Sequence, residues 1–210
     1  MTLRLHGYWR SSAAYRVRLA LGLKGLAYEQ VPHDLRTGAQ ATPDYRALNP
    51  QALLPTLEAD GLVLTQSPAI LEWLDERFPD PPLLPADPDA RAVVRAMAAI
   101  VACDIHPVNN LRILSALRRD FDAQDVAVSR WIRRWITQGF EALEVMIARH
   151  DGGFAYGDTP TIADCHLLPQ VYNALRFDLD LAPFPLLAAA AAKLDARVPQ
   201  AHPDAQPDAP

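Results

Sequence analysis

Cysteine is scarce in this chain. Two occur among 210 residues, Cys103 and Cys165, far apart and outside any C-x-x-C pattern, which argues against a disulfide framework and against a thiolate zinc site. No run of roughly eighteen or more apolar residues is present, and no basic-then-apolar leader opens the sequence, so neither a membrane span nor a secretory signal is expected. The expected location is cytoplasmic, with no membrane partner. Lysine is almost missing: of 20 basic residues only Lys24 and Lys193 are lysine. A net charge of −5 argues against a nucleic-acid surface. The arginines cluster locally (Arg10, Arg16, Arg18; Arg118, Arg119; Arg130, Arg133, Arg134), and most are expected on solvated helix faces. A few have the planar fork that grips a carboxylate, which lysine does less well. Paired carboxylates, a Ser/His/Asp set and a metal-ligand cluster are all lacking, so hydrolysis is not indicated and no metal is expected.

What is present is ordinary for a soluble globular protein: half the residues are apolar and 21% are charged. The first third alternates strand and helix signals. Residues 3–7 read as a strand, residues 12–24 as a helix with one broad buried face, ended by Gly25 behind Lys24. Residues 27–32 are a second strand, so the opening is a βαβ unit. A polar stretch, 34–46, contains Gln40. Pro55 suits the first residue of a strand, and Asp60-Gly61 between Thr56–Ala59 and Leu62–Thr65 is a two-residue hairpin signal. Gln66-Ser67-Pro68 then opens a helix, with Ser67 as expected N-cap. The order β-α-β followed by β-β-α is thioredoxin-like.

Five prolines from Pro79 to Pro88 mark a boundary. We place the first domain at 1–79, a linker at 80–87 and an all-helical second domain at 88–210. The fold class is therefore α/β plus all-α, a thioredoxin-like domain followed by a helical bundle. Asp87 caps a long helical run that Pro107 should kink or break. Trp131 to Ile147 mark another helix, Thr161 to Asp164 a capping box, and residues 188–194 a last helix. The tail from Pro199, with four prolines in twelve residues, reads as extended and partly disordered. Cys165 and His166 read as core and surface.

The stretch Arg10-Ser11-Ser12 through Tyr15-Arg16-Val17-Arg18 lies where a strand hands over to a helix. There, unpaired N–H groups and the helix dipole favour an anion or a thiolate. Read alone, Ser11 or Ser12 is better explained as a helix cap, since capping serines are far commoner than active ones. Further on come Asn49-Pro50, Leu54-Pro55-Thr56-Leu57, Gln66-Ser67-Pro68-Ala69-Ile70, Asp104-Ile105-His106-Pro107 with Asn110, Gly157, Ala163-Asp164, Leu168-Pro169-Gln170, Arg176-Phe177 and Gln206-Pro207-Asp208. In this order and spacing, over nearly the whole length, the chain resembles the zeta class of the glutathione transferases.

That resemblance implies glutathione as cofactor and assigns roles by position. Ser11 matches the hydroxyl donor to the glutathione sulfur, with Ser12, Ala13 and Ala14 lining the same turn. Ala13 stands where many members carry cysteine, so any side chemistry of that thiol is lost while a hydroxyl-led mechanism survives. Leu54 matches the residue whose backbone pairs with the cysteinyl part, beside a proline that is cis in this fold. Gln66 and Ser67 match the clamp on the γ-glutamyl end, and Gln40 a loop contact. From the helical domain, His106, Asn110 and Arg112 match positions that reach glutathione. Arg176 matches an arginine used on substrate carboxylate, with Arg10 as a second candidate.

The implied reaction is cis–trans isomerisation of a maleyl dicarboxylate. Thiolate adds to the double bond, charge moves toward the conjugated ketone, the bond rotates, and expulsion of the thiolate leaves the fumaryl product and regenerates glutathione. The expected substrate is maleylacetoacetate, from homogentisate in tyrosine breakdown. Alternatives are maleylpyruvate from gentisate, a broader conjugating transferase and a non-catalytic scaffold. The class also implies a homodimer.

Overall fold

Leu3–Gly7 forms the central strand, β1, of a four-stranded sheet. In the computed structural model, which describes residues 1–150 and 152–209, β1 pairs in parallel with β2 (Glu29–Pro32) and antiparallel with β3 (Thr56–Ala59). β3 in turn pairs antiparallel with β4 (Leu62–Thr65). The predicted hairpin is present with those bounds. Asp60 and Gly61 take φ of 46° and 90° at its turn, the left-handed pair that a tight hairpin demands. Leu5 and Leu57, facing each other in register, are almost fully buried.

α1 (Ser12–Leu23) connects β1 to β2 and packs on α3 (Ser67–Arg77). It is buried nearly all round: Ala14, Tyr15, Val17, Leu19, Ala20 and Leu21 are fully inaccessible. Arg16 and Arg18, expected on a solvated face, are 2% exposed. α1 ends with Gly25 at φ 63°, the left-handed exit that glycine permits without strain. Behind it, the Lys24 ammonium is sealed from solvent and donates to Asp75 Oδ1 (2.9 Å), Phe78 O (2.7 Å) and Pro81 O (2.8 Å). Asp75 Oδ1 also accepts from Leu83 N–H at 2.6 Å. Much of the proline-rich stretch is thereby fastened to α1 and α3.

A short helix, α2 (Pro43–Leu48), begins inside the stretch read only as polar and runs two residues past it. Its signals are all local: Thr42 caps Tyr45 N–H, Pro43 opens it, Asp44 and Arg46 suit the dipole. With six residues and only Tyr45 buried, it carries no periodicity to detect.

The chain divides into two units, Met1–Leu83 with Asp195–Pro210, and Leu84–Leu194. The helical domain was expected to run to 210, and this is corrected. From Asp195 the chain packs with the sheet unit, in two 3-10 turns, Pro199–Ala201 and Pro203–Ala205, with Val198, Ala201, Pro203 and Gln206 buried. Prolines here pre-set turns rather than prevent order. Gly22 accommodates the tail, since a Cβ there would collide with Val198.

The second unit is helical. α4 (Pro88–Ala99), capped by Asp87 accepting from Ala90 N–H at 2.8 Å, passes into a π-helical segment, Ile100–Ile105. A 3-10 turn at Pro107–Asn109 then separates it from α5 (Leu111–Phe121), the break predicted at Pro107. Among the described residues Pro88–Phe121 is the one segment long and apolar enough to cross a membrane. Its side chains Val94, Met97, Val101 and Ile105 are buried, and the segment packs on α6 (Asp125–Arg149) and α7 (Ile162–Leu175). His166, read as surface, is fully buried in α7. The last helix, α8 (Pro185–Arg197), is longer at both ends than read, and its final turn crosses into the first unit.

The capping box of α7 is formed by Thr161 and Asp164. Burial pushes the Asp164 carboxyl up from 3.8 to about 6, against hydrogen bonds from Ala155 N–H, Thr161 N–H and the Thr161 hydroxyl that pull it down. The folded protein therefore binds this proton more tightly than the unfolded chain, so the group's contribution to stability rises as pH falls through 6 toward 3.8. Urea unfolding of the parent and Asp164→Asn at pH ~7 and ~5 should show the parent gaining stability relative to the variant at the lower pH; an unchanged difference refutes this. For Lys24→Met, which takes the compensating charge from Asp75 and the ammonium donor from two carbonyls in the interior, the expected loss in the same measurement is about 3–5 kcal/mol.

Candidate active site

Ser11 stands at the N-cap of α1, in extended conformation (φ −69°, ψ 115°). Its hydroxyl oxygen accepts from Ala14 N–H at 3.3 Å, and its own N–H donates to Tyr8 O at 2.9 Å. A hydroxyl that already accepts still has its proton to give. So the cap reading and the donor reading are compatible. The first-turn amides of Ser12 and Ala13 have no earlier carbonyl within the helix. Together with the dipole, these donors favour a thiolate over a thiol without a general base. Among the described residues no histidine or carboxylate is bonded to the Ser11 side chain. Ser12, Ala13 and Ala14 are buried, and Gly7 lets β1 run close under α1, its missing Cβ falling 3.2 Å from that of Ala14.

The second anion-favouring terminus is that of α3. The structure moves the cap by one residue: Gln66 is the N-cap, and Ser67, buried at 3% exposure, is the first helical residue. Arg16 Nη1, one turn into α1, donates to Ser67 Oγ at 3.2 Å, which brings a guanidinium to this terminus and ties the starts of α1 and α3 together. Gln66 has φ 68° and ψ 111°, a strained conformation for a residue with a Cβ. Its exposed side chain donates to Gln51 Oε1 at 2.5 Å.

Between the two termini in sequence, the turn before β3 is built by side chains. Tyr45 Oη and Asn49 Nδ2 both donate to Leu53 O at 2.7 Å, and the Thr56 hydroxyl bonds Tyr45 Oη at 2.8 Å. Burial raises the Tyr45 phenol, partly offset by hydrogen bonds with Thr56 and Asn49. The Leu54–Pro55 peptide is cis. Sheet pairing begins at Thr56, so the amide and carbonyl of Leu54 lie outside the ladder, where an extended peptide can pair with them. Gln40 sits half-buried in the 3-10 turn Ala39–Ala41, and its Oε1 has no hydrogen-bond partner among the described residues. Tyr8 Oη and Trp9 Nε1 are likewise buried and unpartnered, atoms for which a ligand or water is the usual answer.

This donor set fits glutathione. Two helix N-termini suit its thiolate and its carboxylate, and Leu54 offers peptide pairing. Arg16, Gln51, Tyr45 and Asn49 support these groups. Sequence reasoning gave them no role, because their partners lie 4 to 51 residues away.

Within the helical unit, His106 follows the π segment and its N–H bonds Val101 O at 2.9 Å. Asn110 Oδ1 accepts from Arg112 N–H at 3.1 Å as the N-cap of α5, and Arg112 is exposed. These three are local neighbours around the break. Arg176 is elsewhere in that unit, exposed at the C-cap of α7 with its guanidinium 5.8 Å from the Phe177 ring centre. Arg10, in the first unit, lies over the Trp9 ring at 5.3 Å.

Known proteins resemble this chain over nearly its whole length. Residues 10–77 match the family model described as glutathione S-transferase, N-terminal domain. A maleylpyruvate isomerase from Ralstonia is 49% identical, covering 98% of this chain and 99% of its own. A holo structure of maleyl pyruvate isomerase, described as a bacterial zeta-class glutathione S-transferase, superposes with TM-score 0.96 at 48% identity, covering 99% and 100% of the two chains. A maleylacetoacetate isomerase from Anaeromyxobacter dehalogenans, with glutathione bound in its active site, gives 0.89 at 47% identity over 100% and 98%.

The strain at Gln66 yields a direct test. Gln66→Gly relieves an unfavourable backbone conformation but adds unfolded-state freedom, so urea unfolding should show stability unchanged or raised by up to about 1–2 kcal/mol, while glutathione titration calorimetry should show weaker binding. Lower stability with undiminished binding would mean that the conformation serves folding instead.

Proposed function

The chain belongs to the zeta class of the glutathione transferases, and from this we propose that it is a glutathione-dependent cis–trans isomerase converting maleylacetoacetate to fumarylacetoacetate. The observation that carries the proposal is Ser11: a hydroxyl donor capping a buried helix N-terminus, with no general base bonded to it among the described residues. That arrangement suits chemistry that needs a standing thiolate and no proton abstraction from water.

Bound glutathione supplies a thiolate that adds reversibly to the cis double bond, allowing rotation before it leaves. The chain's residues do the rest. Ser11 donates to the sulfur, and the α1 terminus lowers the cost of its charge. Leu54 pairs with the peptide backbone of the cofactor, and Gln66 and Ser67, with Arg16 behind them, hold its γ-glutamyl end. Gln40, His106, Asn110 and Arg112 are assigned further contacts with it. Arg10 and Arg176 are assigned the substrate carboxylates and the negative charge that develops toward the ketone, a task for planar guanidinium forks. Asn110 Oδ1 already accepts one hydrogen bond in capping α5, which leaves its amide nitrogen to donate and its second oxygen lone pair to accept.

A second substrate, maleylpyruvate, is favoured by a specific observation, the TM-score of 0.96 to a maleyl pyruvate isomerase. Both substrates carry a maleyl end and two carboxylates, and the same residues serve either. The reading includes a homodimer, as the class implies, and a cytoplasmic location, where glutathione is reduced and two free cysteines such as Cys103 and Cys165 stay as thiols.

The test is a spectrophotometric assay on maleylacetoacetate and maleylpyruvate, each with and without glutathione. Glutathione-dependent loss of maleylacetoacetate in preference to maleylpyruvate is expected. The reverse preference establishes the second substrate, and glutathione binding without turnover of either overturns the isomerase. Ser11→Ala should raise the pKa of the bound thiol, read from thiolate ultraviolet absorbance, and lower kcat/KM by about 100-fold or more.

A further inference from the structure

Between β1 and Ser11 the chain passes through Tyr8, Trp9 and Arg10, and the peptide groups of Trp9 are held from two sides by residues distant in sequence. Its N–H donates to Asp208 Oδ2 at 3.0 Å. Its carbonyl accepts from Arg18 Nη2 at 2.9 Å. Arg18, buried at 2% exposure, uses its Nε on Ala201 O at 3.0 Å, so the same guanidinium ties the turn to the tail. The second oxygen of Asp208 accepts from Gln30 Nε2 on β2 at 2.9 Å. Two residues before it, buried Gln206 donates to Gln200 O (3.0 Å) and His202 O (2.8 Å), closing the tail into a compact loop. Tyr15, on α1, donates to Asp195 Oδ1 at 3.2 Å and meets His202 edge-on.

The tail therefore bonds to the turn that presents Ser11, and does so through a carboxylate, which makes stronger hydrogen bonds to backbone N–H than a neutral acceptor. We infer that Asp208 is a positioning residue for the thiolate site: with Arg18 it fixes both sides of the Trp9 peptide and so sets where the Ser11 hydroxyl lies. This rests on the reading of Ser11 as donor to the glutathione sulfur. A hydroxyl that stabilises a thiolate acts through one hydrogen bond, and displacement of about 1 Å is enough to cost much of its effect. Asp208 itself touches neither cofactor nor substrate in this account. Its loss should appear in the ionisation of the thiol and in kcat, and little in KM for the substrate.

The experiment measures the bound-thiol pKa by thiolate absorbance, together with kcat and KM, for the parent, Ser11→Ala, Asp208→Ala and Asp208→Asn. Asp208→Ala should raise the thiol pKa by about one unit and lower kcat about tenfold at neutral pH, with substrate KM changed by less than about twofold and kcat largely recovered at alkaline pH. Asp208→Asn keeps an acceptor for Trp9 N–H, and Gln30 can turn its amide to face the new one, so it should return kcat to within about threefold of the parent. If Asp208→Ala does not accumulate as folded protein, Asp208→Glu replaces it under the same criteria, keeping the charge but shifting it by one methylene. A thiol pKa and kcat like the parent's in Asp208→Ala or its replacement, while Ser11→Ala raises the pKa, overturns this inference alone and leaves the tail a structural strap. An unchanged pKa in Ser11→Ala overturns the Ser11 reading and this inference with it.

Discussion

A guanidinium taken out of water must find partners for its donors, because an uncompensated buried charge costs several kcal/mol. α1 carries two of them two residues apart on a helix with almost no exposed surface, and the first unit is arranged around meeting that demand. Arg16 reaches the start of α3 through Ser67, while Arg18 reaches Trp9 O and Ala201 O. The first bond joins the two helix termini that form the proposed glutathione site. The second pair joins the turn before Ser11 to a segment that follows the whole helical unit. These bonds reach a hydroxyl at the start of α3, the carbonyl of Trp9 just before Ser11, and a carbonyl in the tail.

Local signals in the sequence located most of the elements. Asp60-Gly61 marks its hairpin, Thr161 and Asp164 their box, Pro107 its break, because each of these effects acts over four residues or fewer. Errors concentrate where the deciding partner is remote. Arg16 and Arg18 look like a solvated pair until Ser67 and Ala201 are known to lie beside them. The proline-rich tail looks disordered until Val198, Ala201 and Gln206 are seen buried against the sheet unit. His166 looks like surface beside Cys165, yet α7 is surrounded on nearly every side and has no outer face there. α2 was overlooked for the opposite reason: its signals are local and complete, but six residues do not make a pattern.

The proposed site divides in the same way. Its helix termini are legible from Ser11 and from Gln66-Ser67-Pro68, since anion-favouring ends follow from backbone chemistry alone. The positions of Leu54 and Gln40 became meaningful only through resemblance to the zeta class, because neither side chain carries chemistry of its own. Asn49 and Thr56 stood among the residues that carry the resemblance, but no signal in the sequence assigned the supporting set a role. Tyr45, Asn49 and Thr56 build the turn before the cis peptide through bonds to Leu53 O and to each other, a pattern that reads in one dimension as an unremarkable Tyr, Asn and Thr.

The return of residues 195–209 to the first unit also bears on how the protein is made. Trp9 and Asp208 are 199 residues apart, which at ribosomal rates separates their synthesis by roughly 10–40 seconds. For all of that interval the sheet and α1 exist without Ala201, His202 and Asp208, so the buried face of α1 that receives Val198 stands open beside an incomplete Ser11 turn. The half of the molecule synthesised first is therefore completed last, and an exposed helix face during translation is the condition under which such a chain depends on chaperones.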